Sequence, residues 1–577
     1  FNKEVFISWR LKKKALECLS RERGTVYKER GGRLSVCLAY PNLYSLGMSN
    51  LGFQVVYHLL NSRDDVVCER VFLPSKEDIV EFKRTNTPLF SLESQRPIPD
   101  FDIIAFSISF EEDYLNILRM FDIAGLPFLS RERDKKQPLV MAGGVAPSLN
   151  PEPIADFFDL FAIGEAEEFI PEFMDAFKEA HNKAKTKEDL LYMLSKIEGV
   201  YAPVFYKVSY EGNIIKEFSP VIEGINARIK SRKIKKLDDF PIPAARILTR
   251  DTTFSNTHLL EISRGCGRGC RFCAAGFIYL PPRERSLKTI MDNISKGMED
   301  TKKIGLVGSA VSEYTDLKPL CRTALQKGGE ITLSSLRLDV LDEELLKLLK
   351  EGGYKTITIA PEAGSERLRD VINKRISEKE ILESIALISR AGIQKLKLYF
   401  IIGLPTETIE DIEAIVNLVL KIKTVMQGSL ITLSVNPFIP KPVTPFQWRG
   451  YEDIKSLKNK IGIIKNGLKN KKGIKLSFLS LREGYIQTLL SVGDRRVGKI
   501  LASAYTKGWK EAFKNAEPSP DFYVNRPKDF SESLPWDFID TGIKKEYLWK
   551  ECKRALKGKT TPPCDVGRCA RCGVCIV

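Results

Sequence analysis

Three cysteines, Cys266, Cys270 and Cys273, stand in the stretch Glu-Ile-Ser-Arg-Gly-Cys-Gly-Arg-Gly-Cys-Arg-Phe-Cys, a C-x3-C-x2-C spacing that ends at residue 273. Three thiolates on one short loop can ligate three irons of a cubane [4Fe-4S] cluster and leave the fourth iron open, as catalysis at a metal requires. Gly265, Gly267 and Gly269 let the backbone curl around such a cluster, and Phe272 can shield it from water. A zinc knuckle is the bland alternative, but zinc wants a fourth ligand and no His or further Cys stands close by.

A second group, Cys564, Cys569, Cys572 and Cys575, has C-x4-C-x2-C-x2-C spacing. Four soft donors this dense can close a structural zinc site or fully ligate a second iron–sulfur cluster. Seven of the twelve cysteines fall in these two groups. That usage argues for metal in a reducing cytoplasm rather than for disulfides.

At 577 residues the chain has room for about three or four domains. Its 43% hydrophobic and 28% charged content are ordinary for a globular protein. No apolar run reaches the ~18 residues of a membrane span, and the first ten residues show no signal-peptide pattern. A net charge of +16 suits an anionic partner such as RNA as well as it suits solvated lysine faces.

Elements that could position these groups follow from the apolar pattern. A basic helical lead fills residues 1–30. Strands Leu34 to Ala39, Ile103 to Ser109, Leu139 to Ala142 and Leu160 to Ile163 alternate with helices Asn50 to Leu60 and Tyr114 to Ala124 over residues 31–184. Such alternation predicts an α/β fold with a doubly wound parallel sheet, whose ligands lie beyond the carboxyl ends of the strands. Residues 185–254 read as a linker with strands and a basic run, Lys230 to Lys236. Over residues 255–448 six strand candidates recur, starting at Leu259, Ile304, Ile331, Thr356, Leu396 and Ile431. Residues 449–577 open with a lysine-rich helical stretch, Lys455 to Lys475, and end in the second cysteine group.

The cysteine loop resembles the signature of the radical S-adenosylmethionine (SAM) superfamily. That resemblance implies a partial (β/α)6 TIM-type barrel, in which the free iron binds SAM. It implies SAM contacts at Phe272, Gly308, Ser309, Ser335, Arg337, Glu362, Gly403 and Leu404. It also implies an electron donor such as flavodoxin or ferredoxin. Tyr40-Pro41, Gly143-Gly144-Val145 and Gly164-Glu165-Ala166-Glu167 resemble the cobalamin-binding, Rossmann-like domain that precedes many such barrels. Tyr40, Ser107, Gly143, Gly144, Gly164 and Glu165 are the contacts this second resemblance implies. The D-x-H-x-x-G motif is absent, and His58 lies in an apolar helix as a core or rim residue. The whole chain resembles a bacterial or archaeal radical SAM family with a cysteine-rich C-terminal tail.

The expected function is reductive SAM cleavage followed by attack on an unactivated carbon, above all cobalamin-dependent C-methylation by a methyltransferase. The alternatives are C–C or C–S bond formation or rearrangement with a vestigial cobalamin domain, and a non-catalytic cluster- or cobalamin-binding module docked on RNA or ribosome.

Overall fold

The computed structural model describes residues 7–241, 244, 246–333 and 336–575. Short runs rich in Val, Ile, Leu and Phe form the first sheet: β1 (Leu34–Tyr40), β2 (Val66–Phe72), β3 (Ile103–Ser107), β4 (Leu139–Gly143), β5 (Leu160–Ala162) and β6 (Val200–Tyr201), in the order β2-β1-β3-β4-β5-β6. All neighbours are parallel except β5 and β6. The order reverses between β1 and β3, and that switch point opens a crevice at the strand ends. Helices Leu51–Asn61 and Ala166–Lys183 flank it. Asn50 caps the first, its side chain accepting from the Phe53 N–H.

A hairpin of β7 (Tyr206–Glu211) and β8 (Ile214–Pro220) follows, then β9 (Ile229–Lys230). The second parallel system is built of β10 (His258–Glu261), β13 (Lys303–Val307) and β14 (Glu330–Leu333), then β15 (Thr356–Glu362), β16 (Lys395–Ile402), β17 (Leu430–Pro437) and β18 (Ile474–Phe478). Between them, β11 (Ser263–Arg264) and β12 (Arg283–Glu284) pair antiparallel around the cysteine loop. The Leu336 N–H donates to Thr358 O (3.2 Å) and joins the two halves. All six expected strands form, and β18 adds a seventh, parallel to β17. It begins at the end of the lysine-rich stretch Lys455 to Lys475, which is expected to be helical. The helix there ends at Leu468, and Lys475 and Ser477 of β18 are exposed.

One continuous apolar core runs through the molecule. β9 pairs with β19 (Ile539–Asp540), so the linker is clamped by the C-terminal segment. Part of the basic run is turned into the fold, while Lys230, Lys235 and Lys236 stay exposed. Lys233 is half-buried and donates to Leu280 O (3.0 Å) and Thr541 O (2.7 Å), Lys230 pairs with Glu198, and Arg232 with Glu172. In the second lysine stretch, Lys460 is buried between Glu407 (2.8 Å) and Glu452 (2.6 Å). No helix among the described residues is long and apolar enough to cross a membrane.

Candidate functional site

The three cysteines lie on the loop between β11 and the short helix Ala275–Ile278. Gly265 (φ +85°) and Gly269 (φ +71°) supply the left-handed backbone of the curl. A Cβ on Gly265 would collide with the Tyr279 carbonyl oxygen. Cys273 N–H donates to Cys270 O (3.1 Å), and Gly276 N–H to Cys273 O (3.2 Å).

Two residues unread in the sequence hold this loop. Arg271, fully buried, donates to Val371 O (2.9 Å), to Lys559 O (2.7 Å) and to the Glu551 carboxylate (3.0 Å). Asn373 donates to Gly269 O (3.0 Å) and accepts from the Thr561 N–H (2.8 Å). An arginine lodged between two ligands of the motif was the available signal for the first. Asn373 lies more than a hundred residues away and carried none.

Burial pushes the Cys273 thiol up to about 12 and raises Cys266 as well. Free thiols are therefore disfavoured as anions here, and bound metal would offset that cost. Cations stand by. Arg268 and Arg337 share Glu313 (2.6 and 2.9 Å) and Asp339 (3.0 and 2.9 Å), with Arg337 near Cys270. Among the described residues no three His, Cys, Asp or Glu converge closely enough for one metal ion. Three thiols spread along a curled loop suit a cluster in which each meets its own iron.

The other strand ends face the same way. Gly308 and Ser309, after β13, line a cavity between the two sheets. A Cβ on Gly308 would stand 2.6 Å from Ser263 Oγ, so glycine permits this approach. Glu362 ends β15 in the left-handed region (φ +68°), a strained conformation for a glutamate. Its carboxylate lies 3.4 Å from Lys374 Nζ, and burial raises its pKa. Phe272 is half-buried against the core, and Leu404 is buried. Ser335 lies outside the described residues.

Gly403 N–H donates to Glu407 Oε2 (2.6 Å). Burial outweighs Lys460 and lifts Glu407 from 4.5 to about 7. The folded chain then keeps a proton that the unfolded chain has lost, so this group makes stability fall as pH rises from about 4.5 to 7. Glu407→Gln is expected to remove that slope, as urea unfolding at points across this interval would show.

The cavity has a volume of about 460 Å³. Its sheet wall is a trough of small side chains. Ser107, Gly143 and Ala162 stand side by side in register across β3, β4 and β5, with Ala105 behind them. Of the residues implied to contact cobalamin, Ser107, Gly143, Gly144, Gly164 and Glu165 line it. Tyr40 does not. It packs edge-on against Phe53 in the core, while Val36 and Leu38 earlier on the same strand line the cavity. Gly144 (φ +110°) and Gly164 (φ +118°) have backbone on the Cβ side, at Ile108 and Arg232, so they shape the wall.

Glu165 is committed to the junction between the two sheets. It pairs with Arg283 (2.6 Å) and Arg264 (3.1 Å) and accepts from the Ile234 N–H (2.9 Å). Arg264 also takes Glu167 (2.6 Å) and Glu261 (2.8 Å). His58 is half-buried and lies outside the cavity lining. Its pKa is lowered by burial and by Arg246.

Comparison with known proteins agrees with this architecture. Residues 52–203 match the family described as radical SAM proteins, N-terminal, and residues 260–419 match the radical SAM superfamily. An uncharacterised protein of Methanocaldococcus jannaschii is 33% identical over 81% of this chain and 90% of its own. An uncharacterised methyltransferase of Pyrococcus horikoshii is 25% identical over 33% of this chain and 43% of its own. The ribosomal protein uS12 methylthiotransferase of Thermodesulfovibrio yellowstonii is 28% identical over 28% of this chain and 40% of its own. In fold, the chain is similar to the radical SAM methyltransferase TsrM of Kitasatospora setae, with TM-score 0.51 and 12% identity over 83% of this chain and 97% of that one. With the cysteine loop at the mouth of a parallel barrel and a doubly wound sheet facing it, the chain belongs to the radical SAM superfamily and carries the N-terminal region described for radical SAM proteins.

Proposed function

We propose that this radical SAM enzyme binds cobalamin between its two sheets and methylates an unactivated carbon. What supports the reading is a single cavity that has Gly308 and Ser309 of the barrel and Ser107, Gly143 and Gly144 of the first sheet in its walls. Cys266, Cys270 and Cys273 would hold the catalytic [4Fe-4S] cluster. Gly308, Ser309, Arg337, Glu362, Gly403 and Leu404 would surround SAM. Together these groups would supply a 5′-deoxyadenosyl radical for hydrogen abstraction, and cobalamin would supply the methyl group.

The chain's own contribution is space and dryness. Ser107, Gly143 and Ala162 open the trough that bulkier strand residues would close, and the wall behind them is apolar (Val36, Leu38, Phe169, Ile170). A reactive carbon radical needs such exclusion of water. Among the described residues no histidine lines the cavity, so cobalamin would be held there chiefly by shape.

Anaerobically reconstituted protein is expected to retain cobalamin after desalting, with visible spectra lacking a histidine ligand. Ala162→Phe fills the trough and is expected to reduce retention at least about tenfold. Gly144 is unsuitable for this test, since any side chain there strikes Ile108 backbone. Wild-type protein that emerges without cobalamin would turn the reading toward C–C, C–S or rearrangement chemistry on a vestigial domain.

A further inference from the structure

We propose that Cys564, Cys569, Cys572 and Cys575 hold a second iron–sulfur cluster that passes electrons into the Cys266 loop. The inference rests on the radical SAM reading, which requires one electron per SAM cleaved.

The two cysteine groups, separated by about three hundred residues in sequence, meet in space. Cys564 N–H donates to Gly267 O (2.7 Å), next to Cys266. A Cβ on Gly267 would stand 3.3 Å from the Cys564 Cβ. Cys266, Cys564, Cys569 and Cys572 all line one small void of about 30 Å³. A covalent path with one hydrogen bond therefore joins Cys266 to Cys564. Arg271 and Asn373 fix this junction through Lys559 O and Thr561 N–H. On the far side, Lys544 N–H donates to Cys572 O (2.9 Å).

Position assigns the direction of flow. Phe277 and Leu280 face the void, while Ile278 and Tyr279, from the same short helix and turn, face the cavity between the sheets. The tail thus stands behind the catalytic loop, away from the chemistry. Its outer surface, from Pro562 to Arg568, is exposed apart from half-buried Cys564. Exposed Lys557 and Lys559 give the neighbouring face positive charge for an acidic electron-transfer protein, while Arg568 is paired with Asp565.

Iron suits the tail better than zinc because the tail backbone is bonded to the catalytic loop, Cys564 N–H on Gly267 O, and zinc at that junction would exchange no electrons. Four thiolates fully ligate a cubane, so no iron there is left for SAM, and electron transfer is the work that remains to it.

The electron balance is simple. A low-potential donor of the ferredoxin or flavodoxin class gives up one electron to the tail cluster, which passes it to the catalytic cluster. There it breaks the C5′–S bond of SAM. Methionine leaves with the sulfur lone pair, and the carbon keeps the unpaired electron.

The test compares full-length wild type with a variant carrying Cys→Ser at all four tail positions, both reconstituted anaerobically. Iron is expected to fall from about eight to about four per chain. Electron paramagnetic resonance of the reduced wild type should show two magnetically coupled centres, and that of the variant one isolated centre. Cleavage of SAM driven by titanium(III) citrate should change less than about threefold, and cleavage driven by reduced flavodoxin should fall at least about tenfold. If the fourfold variant does not accumulate, C575S at the tail's rim serves the same comparison. Unchanged iron, stoichiometric zinc, or equal losses with both donors would overturn the proposal. Wild type that cleaves no SAM with either donor would instead sink the radical SAM reading beneath it.

Discussion

Changing Cys266, Cys270 and Cys273 together to Ala is expected to lower 5′-deoxyadenosine formation by at least about three orders of magnitude, about 4 kcal/mol of barrier. No other thiol is positioned to replace them on the loop. The nearest, Cys564, is pinned by its own backbone to Gly267. The fold should persist, because the loop is held by Arg271 and Asn373 rather than by its thiols. Iron analysis and circular dichroism of the same samples separate the two effects. Iron should fall by one cubane while the far-ultraviolet spectrum is kept. A triple variant that still produces 5′-deoxyadenosine would remove these cysteines from the chemistry.

The second large effect concerns the join between the sheets. Arg264 satisfies Glu165, Glu167 and Glu261 at once, all in a largely buried setting. Arg264→Met leaves Glu167 without its cation and is expected to cost about 3–5 kcal/mol. Adding Glu167→Gln removes the orphaned charge and should recover part of the loss, a coupling that a double-mutant cycle reads directly. Burial alone would raise the Glu167 pKa, but Arg264 outweighs it and holds the carboxyl below its ordinary value. A depressed folded-state pKa gives stability that is present above the unfolded value and is lost as pH falls through the folded one. Wild type should therefore show an acid-side loss that the double variant lacks. Urea midpoints measured from pH 7 downward check this. Limited proteolysis in the Lys230 to Lys236 run should quicken in Arg264→Met as the clamp on the linker loosens.

What was readable in the sequence was whatever had local pattern. The three-cysteine loop, the glycine turns at the strand ends and six apolar strands of the second sheet all lie within short windows. β2 was missed because Glu69 and Arg70 break its apolar run. The structure buries both, Glu69 on Ser91 and Ser94, Arg70 between Glu22 and Glu93. A buried ion pair formed from distant residues leaves no local trace. β18 is hidden because it starts where the lysine-rich helical stretch ends, and only its pairing with β17 marks it as a strand.

The same limit acts on the site. Glu165 follows a strand, where a ligand contact is expected, and it lines the cavity, but its partners Arg264 and Arg283 lie far on in the chain and leave no local trace. The basic runs are legible by count, but not which lysines folding takes up: Lys233 goes to backbone carbonyls and Lys460 to Glu407, while Lys235, Lys236 and Lys458 stay exposed. Contact between the tail cysteines and the catalytic loop was equally invisible, since each group is a local motif but their meeting is tertiary.

The central claim is that this chain cleaves SAM reductively at the Cys266–Cys270–Cys273 loop. Its most direct test is anaerobic incubation of reconstituted, titanium(III)-reduced protein with SAM, followed by chromatographic quantification of the nucleoside product. The expected product is 5′-deoxyadenosine in multiple turnovers, dependent on the reductant and on iron. Intact SAM, or S-adenosylhomocysteine alone with no 5′-deoxyadenosine, would contradict it.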